Sequence, residues 1–79
     1  MKIYEFEKMN DWGQNEKHCV NLERVEEVVL KVIDPEGEHP GYTEYSVKLE
    51  FNNGGITIHK KTPEEAIKLY KDIKKCMEE

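Results

Sequence analysis

The sequence predicts a single α+β domain, residues 1–79, in which a curled antiparallel sheet carries one C-terminal helix. Three observations predict it. Apolar and polar residues alternate from Tyr45 to Phe51, which is the period of a strand with one solvated face. The tight-turn pair Asn53-Gly54 follows. A helix start at Thr62–Glu65 then opens a segment with apolar residues at helical spacing.

The hairpin around that turn is predicted in one register. Asn-Gly is the preferred pair of a type I′ turn, because both central residues need a positive φ. With Asn53-Gly54 at the tip, Phe51 faces Ile56 and Leu49 faces Ile58. Both apolar pairs then lie on one side of the sheet, whereas a slip of one residue would divide them.

A helix is predicted to begin at Thr62–Glu65 and to include the apolar residues up to Met77. Thr62 is its expected N-cap, proline is favoured at the first helical position, and Glu65 completes a capping box. The apolar stripe that we expect to pack on the hairpin consists of Ala66, Leu69, Tyr70, Ile73 and Met77.

Three further strands are predicted before the hairpin. Lys2 to Lys8 and Lys17 to Leu22 form a first pair around a polar turn. Val25 to Asp34 is the third strand, because five β-branched residues outweigh the competing helix over Leu22 to Leu30. Its apolar residues occupy both faces, which is typical of a central strand or of one with a bulge. The five strands are therefore expected to form one meander.

Length, composition and net charge limit the classes of protein to which this chain can belong. With 79 residues, 37% of them apolar, the chain supports a thin two-layer core. A net charge of −5 argues against binding nucleic acid through phosphate contacts. The first residues enter a strand pattern directly, no apolar run approaches membrane-spanning length, and the two cysteines are too few for a disulfide scaffold. We expect a cytoplasmic protein with no membrane contact.

No residue pattern predicts a chemistry. The histidines and cysteines lack metal-ligand spacing, and adjacent His18 and Cys19 would point to opposite faces of a strand. The paired carboxylates lack apolar surroundings that would shift their pKa values. The sequence therefore predicts a non-enzymatic protein with no metal and no cofactor.

Trp12 is the first candidate contact with a protein partner. It is the single tryptophan, it lies in the polar Asp11-Trp12-Gly13 turn, and tryptophan is enriched at binding hot spots. The alternative is that Trp12 folds back to shield the sheet edge.

Acidic and loop residues are the other candidate contacts. A long polar loop, Asp34 to Gly41, contains two prolines and two glycines that exclude regular structure, and long loops are often functional or disordered. An acidic outer sheet face is expected to follow it. The candidates are Glu36, Glu38, His39, Glu44 and Glu50.

Lysines of the C-terminal segment offer a different interpretation. They are Lys60, Lys61, Lys68, Lys71, Lys74 and Lys75. One interpretation is that these lysines form a ridge that binds nucleic acid. The alternative is that they belong to a solvated helix face on which acidic residues are intermixed.

The order of signals resembles a known layout. The segment Val20–Glu26 is followed by a strand, by Asn53-Gly54-Gly55, and by Thr62–Ala66. This is similar to FlbD-type proteins of flagellar operons and to other short bacterial and phage proteins, over roughly Val20 to Ile73. The resemblance implies a small accessory or regulatory protein.

The expected function is therefore a protein-interaction module of a bacterium or phage. One alternative is a phage-encoded acidic inhibitor of a host nucleic-acid enzyme or defence system. Another is a nucleic-acid-binding protein that uses the C-terminal lysines.

Overall fold

The computed structural model describes residues 2–34, 36 and 38–78, with the backbone alone at residue 40. The described elements are five strands, two 3-10 turns and one helix. In chain order they are β1 (Ile3–Met9), β2 (Asn15–Asn21), the turn Leu22–Arg24, β3 (Glu27–Ile33), the turn Pro40–Tyr42, β4 (Glu44–Phe51), β5 (Gly54–His59) and α1 (Pro63–Glu78).

The strands form two antiparallel sheets, so the predicted single five-stranded sheet is wrong. One sheet is β1-β2 and the other is β3-β4-β5. The chain leaves β2 through the 3-10 turn, where Asn21 Oδ1 accepts the Glu23 N–H at 3.0 Å. Leu22, the first residue of the turn, and Val25, directly after it, are buried. The turn redirects the chain into the core instead of reversing it beside β2, and the meander is broken there.

The β4-β5 hairpin has a different register from the predicted one. Phe51 pairs with Gly54 and Leu49 pairs with Ile56, so the two-residue tip is Asn52-Asn53. Neither asparagine has a positive φ, so the type I′ prediction is wrong, and Gly54 has the positive φ of 145°. The shift is two residues, and an even shift keeps the apolar residues on the predicted side.

The C-terminal helix is confirmed. Thr62 Oγ1 accepts the Glu65 N–H at 3.2 Å, and the Glu65 carboxylate accepts the Lys61 N–H at 3.4 Å. Ala66, Leu69 and Ile73 are its buried side. Thr62 and Glu65 therefore end-cap the helix as the sequence predicts, although the reciprocal bond goes to the residue before Thr62.

One hydrophobic core joins the two sheets and the helix. Phe6 and Val20 enter it from the β1-β2 sheet. The buried residues from the remaining elements are Leu22, Val25, Val47, Leu49, Ile58, Leu69 and Ile73. Tyr4 and Tyr70 pack against this core while staying half-buried.

Strand β1 runs antiparallel beside α1. Lys2 Nζ donates to the Met77 carbonyl at 2.6 Å, near the end of the helix. Partial burial, followed by the nearby Asp72 carboxylate and Cys76, raises the pKa of Tyr4. At the other end of β1, Met9 and Asn15 line one groove together with the segment His59–Lys61. The β1-β2 tip therefore leaves the molecule at the end where β5 stops and α1 begins.

Strand β3 lies at an edge of its sheet. It pairs with β4, and among the described strands no other pairs with it. All seven of its residues are half-buried or exposed, although five are aliphatic. The two-faced apolar pattern that is typical of a central strand thus belongs here to an edge strand.

Candidate functional site

The tip of the β1-β2 hairpin is held by one asparagine. Asn10 Oδ1 accepts the N–H groups of Trp12 and Gln14, both at 2.9 Å. The Asn10 N–H donates to the Gln14 carbonyl at 2.8 Å, and its carbonyl accepts the Gly13 N–H at 3.1 Å. Gly13 adopts a φ of 75°, which glycine reaches without steric cost. The tip is therefore an ordered turn whose own polar groups fix its backbone.

A chain of polar side chains connects this turn to the core. Asn10 Nδ2 donates to Glu16 Oε2 at 3.1 Å, and Glu16 Oε1 lies 3.1 Å from His18 Nε2. The His18 ring stacks on the buried Phe6 ring, with centroids 5.6 Å apart. The hydrogen bonds from Asn10 and then from His18 lower the pKa of Glu16. The tip is thereby anchored through side chains that share one face of the hairpin.

Trp12 is held out in solvent by this turn. Its residue surface is 86% exposed, the highest value among the exposed large hydrophobic residues of the described chain. It does not fold back on the sheet edge. The backbone N–H of Trp12 is hydrogen-bonded within the turn, whereas its ring packs on little of the protein. Trp12 is therefore held in a fixed position with its side chain accessible to a partner.

The loop between β3 and β4 is organised by Asp34. Its carboxylate accepts the N–H groups of Glu38 and His39, and its carbonyl accepts the Tyr45 hydroxyl at 3.0 Å. Asp34 itself adopts a φ of 54°, which aspartate tolerates better than most residues. The 3-10 turn Pro40–Tyr42 follows. The prediction that this loop has no regular structure is therefore wrong at that turn.

The loop presents its candidate residues to solvent. Glu36, Glu38 and His39 are exposed, and His39 Nδ1 lies 3.6 Å from Asp34 Oδ2. Tyr42, which the sequence did not single out, is 78% exposed. Pro35 and Gly37, two of the residues on which the loop prediction was based, lie outside the described residues.

Glu44 and Glu50 lie on the outer face of the three-stranded sheet, but that face is not uniformly acidic. Glu44 Oε2 lies 4.0 Å from Lys31 Nζ and accepts the Ser46 hydroxyl at 2.8 Å. Glu50 Oε1 lies 3.2 Å from Lys48 Nζ. The carboxylates and lysines alternate around a shallow depression of about 320 Å³. Its mixed charge offers a partner little net attraction of either sign.

The fold brings some of the candidates together and separates others. The turn around Trp12 and the described residues of the β3–β4 loop leave the molecule at the same end. Met9 and Asn15 lie beside His59–Lys61, and β5 ends opposite the start of β4. We call this end, formed by residues 10–14, 34, 36 and 38–43, the loop end. Glu44 borders it, whereas Glu50 pairs with Gly55 near the opposite, Asn52-Asn53 end.

Sequence reasoning missed the two residues that order the loop end. Asn10 and Asp34 each stand directly after a strand, and the side chain of each accepts backbone N–H groups of residues that follow it. Asparagine and aspartate at such a position bond the backbone of the following residues, and this is the signal that identifies them. Tyr42 and Met9 were missed because the alternation pattern does not distinguish an exposed apolar side chain from a buried one.

The sulfur and imidazole groups do not converge. Cys19 is exposed on the side of β2 opposite Val20, and Cys76 is half-buried beside the core. Across the described ranges, no three histidine, cysteine or acidic side chains cluster in a way that would hold a metal ion. In the same ranges, no helix has the length and apolar character needed to cross a bilayer.

Comparison with known proteins identifies no relative: no family model, no curated protein and no solved structure matches this chain. The function must therefore be argued from the loop end itself.

Proposed function

We propose that this protein is a small, non-enzymatic protein-interaction module and that Trp12 is the centre of its contact surface. The observation that carries the proposal is a tryptophan residue that is 86% exposed on a turn whose backbone is fixed by Asn10. A regulatory or accessory role in a bacterium or phage, as implied by the resemblance to FlbD-type proteins, is part of the proposal.

An ordered turn makes an exposed tryptophan a better contact. Burying a large aromatic side chain in a partner removes much apolar surface from water, and tryptophan is among the residues that dominate binding energy. Association also costs the entropy of ordering flexible loops, and a preformed backbone avoids that cost. Because Asn10 already holds the Trp12 and Gln14 amides, little backbone entropy remains to be lost on binding.

The surroundings of Trp12 fit a protein partner. Met9 is 56% exposed at the base of the same hairpin tip, and Tyr42 is 78% exposed on the second loop of the same end. Glu36 and Glu38 add carboxylates to the rim. Aromatic and methionine side chains surrounded by charged residues are the composition typical of a protein–protein contact.

The alternative functions receive less support from this geometry. A phosphate mimic needs a continuous acidic surface, and Glu44 and Glu50 are instead accompanied by Lys31 and Lys48. A nucleic-acid ridge needs unopposed lysines, and Lys68 and Lys71 of α1 line their groove together with acidic side chains of the same helix.

The test compares Trp12→Ala with the wild-type chain as immobilised bait in lysate from the source cell. Ile3→Ala is the matched control, because Ile3 is also a large exposed apolar residue, at 54%, but lies at the opposite end of β1. A protein that wild type and Ile3→Ala retain equally, and that Trp12→Ala loses, is the expected partner. With that partner purified, Trp12→Ala should weaken binding by about 30-fold, which corresponds to about 2 kcal/mol.

Two further measurements separate the alternatives. The free protein should emit at long wavelength and be readily quenched, and the emission should move to shorter wavelength when the partner binds. Labelled duplex and single-stranded DNA are run in mobility-shift assays across a salt series. Retention of every partner by Trp12→Ala would contradict the assignment, and a salt-sensitive DNA shift would replace it with the lysine-face alternative.

A further inference from the structure

The outer edge of β3 is an open pairing edge. The single strand that pairs with β3 in the described chain is β4. An uncovered edge presents a row of backbone N–H and C=O groups to which another strand can bond. Its outward side chains include Ile33, which is 43% exposed, and Val29, which is half-buried. No proline interrupts the strand from Glu27 to Ile33.

The register of the sheet shows which backbone groups are directed at this edge. The Lys60 N–H donates to the Tyr45 carbonyl at 2.7 Å, so the backbone groups of Tyr45 are directed toward β5. In an antiparallel sheet, successive residues direct these groups to opposite sides. The groups of Ser46 are therefore directed toward β3, where Ser46 pairs with Lys31.

The same alternation applies along β3. Lys31 and Val29 direct their N–H and C=O groups to β4, because they pair with Ser46 and Lys48. Val28 and Leu30 direct theirs away from β4, to the open edge. Val32 does the same, because its partner Tyr45 directs its groups toward β5, so the open edge offers the backbone groups of three residues. The side chains of Val28 and Leu30 lie on the inner side of the sheet, packed against the core.

The sequence of this edge is complementary to itself. Consider a second copy of β3 that pairs antiparallel with the first, with the twofold axis at Val29. Glu27 of each copy then stands opposite Lys31 of the other copy, which makes two such contacts. Val28 then stands opposite Leu30, and these are the residues whose backbone groups are directed at the edge. The Glu27–Lys31 pairs fall at the non-hydrogen-bonded positions, where facing side chains are closest.

Neighbouring registers lack this match. If the twofold axis lies at Leu30, Glu27 stands opposite Ile33 of the other copy and Val29 stands opposite Lys31. A dyad at Lys31 puts two lysines opposite each other, which is destabilising. Backbone direction allows all three registers, and the charges of Glu27 and Lys31 select the pairing about Val29.

We infer that two copies of this protein associate through β3, antiparallel and centred on Val29, to form one continuous sheet. The occupant of the open edge is a second copy of the chain, as Glu27 and Lys31 each find the opposite charge there. Such a twofold contact is self-complementary, like most homodimer interfaces. The arrangement also accounts for the apolar residues on both faces of β3, because pairing turns an edge strand into a central one.

The experiment is sedimentation velocity of the full chain over a concentration series from about 1 μM to 1 mM, a range that covers weak association. Glu27→Lys and Lys31→Glu are compared with the wild type. Each single change places like charges opposite each other at both contacts, and should raise the dimer dissociation constant by about 30-fold. The double variant Glu27→Lys/Lys31→Glu restores both pairs, so it should dimerise like the wild type.

An equimolar mixture of the two single variants is the most direct test of the proposed charge pairing. In a mixed pair, each introduced charge meets its opposite, so the mixture should dimerise although neither variant does so alone. Both substituted side chains are exposed, and circular dichroism checks that each variant stays folded.

Amide hydrogen exchange gives an independent reading of the same contact. The Val28 and Leu30 amides should be protected at high concentration and lose protection on dilution. The Val29 and Lys31 amides, which bond to β4, should keep theirs and serve as internal controls. A chain that stays monomeric to the highest concentration, or a dimer that ignores both charge changes, would overturn the inference.

Discussion

The β1-β2 hairpin and the unit formed by β3, β4, β5 and α1 differ in how they are held. The C-terminal unit contains the side chains with almost no exposure: Val47, Leu49, Ile58, Ala66 and Ile73, all at 0–1%. The hairpin contributes Phe6 at 6% and Val20 at 7%, and then extends to a tip where Trp12 is 86% exposed. Apolar packing therefore holds one region, whereas local polar bonds order the outer part of the other.

The region that stabilises the fold is therefore different from the region that exposes a side chain to a partner. A side chain that is presented to a partner cannot also be buried in the core, so the turn that carries it needs another source of order. Asn10 provides that order with two backbone bonds and a link to Glu16. The consequence is that changes in the C-terminal unit should be costly for the whole fold, while changes at the tip should be local.

The largest effect is expected at Ile73. Ile73→Ala removes a fully buried side chain and should lower the free energy of unfolding by about 2–5 kcal/mol, enough to abolish folding in so small a chain. Ile3→Ala, at a 54% exposed position of the hairpin, should change it by less than about 0.5 kcal/mol. Urea denaturation followed by circular dichroism measures both. Equal losses would show that the hairpin is as much a part of the core as the helix is.

The two hairpin turns should respond differently to asparagine. Gly54 has a φ of 145°, outside the left-handed region that asparagine tolerates, so Gly54→Asn should cost about 1–3 kcal/mol. Gly13 has a φ of 75°, close to that region, so Gly13→Asn should cost less than about 1 kcal/mol. Thermal melts compare the pair.

Gly41→Ala is the control for these two changes. Open space surrounds a Cβ at Gly41 as it does at Gly54, and no positive φ is found there. It should be nearly neutral. A penalty at Gly41 equal to that at Gly54 would mean that backbone conformation is not the cause.

A smaller effect is expected at the helix cap. Thr62→Ala removes the acceptor of the Glu65 N–H and should cost about 1 kcal/mol. Thr62→Ser keeps a hydroxyl in place and should recover most of the loss, which chemical denaturation can measure. Full stability in Thr62→Ala would show that water or the Glu65 carboxylate substitutes for the cap.

The smallest effect concerns pH and is confined to the tip. Because its folded-state pKa is lowered, the Glu16 carboxylate adds order to the turn above its ordinary pKa, and that contribution is lost as the pH falls through the lowered value. The Trp12 amide should then lose protection at acid pH, measured by NMR as the exchange rate relative to the intrinsic rate at the same pH. Glu16→Gln still accepts from Asn10 without titrating, so its tip should lack this pH step. If the Glu16→Gln variant showed the same loss of Trp12 amide protection at acid pH, a different titrating group would be responsible.

Much of the local structure could be predicted because its causes are local. The helix start at Thr62–Glu65 depends on a cap and a proline, and the side of β4 that faces inward depends on a period of two. The tip of the β4-β5 hairpin was misplaced because Asn53-Gly54 and Asn52-Asn53 are adjacent and give the same sidedness. Alternation fixes a face, and it does not distinguish registers that differ by two residues.

The candidate site was predictable in part. Trp12, Glu36, Glu38 and His39 lie in exposed loops, as polar turn signals indicate. That these loops share one end of the molecule depends on the direction of β1 against α1, which no local pattern contains. The lysine beside Glu44 comes from the neighbouring strand β3, and the lysine beside Glu50 lies two residues away along β4, so the acidic face expected from composition is absent there.

The sequence by itself determined the strands and the helix as element types, the buried side of β1, β2, β4 and β5, and the helix cap, because propensity, periodicity and capping act within a few residues of the chain. The tertiary structure alone decided that the strands form two sheets, that β3 lies at an edge, and that Trp12 stays outside the core. The physical reason is that these outcomes depend on competition for one small apolar core. Leu22 and Val25 take places in it, the chain bends to bury them, and β2 and β3 are left unpaired with each other.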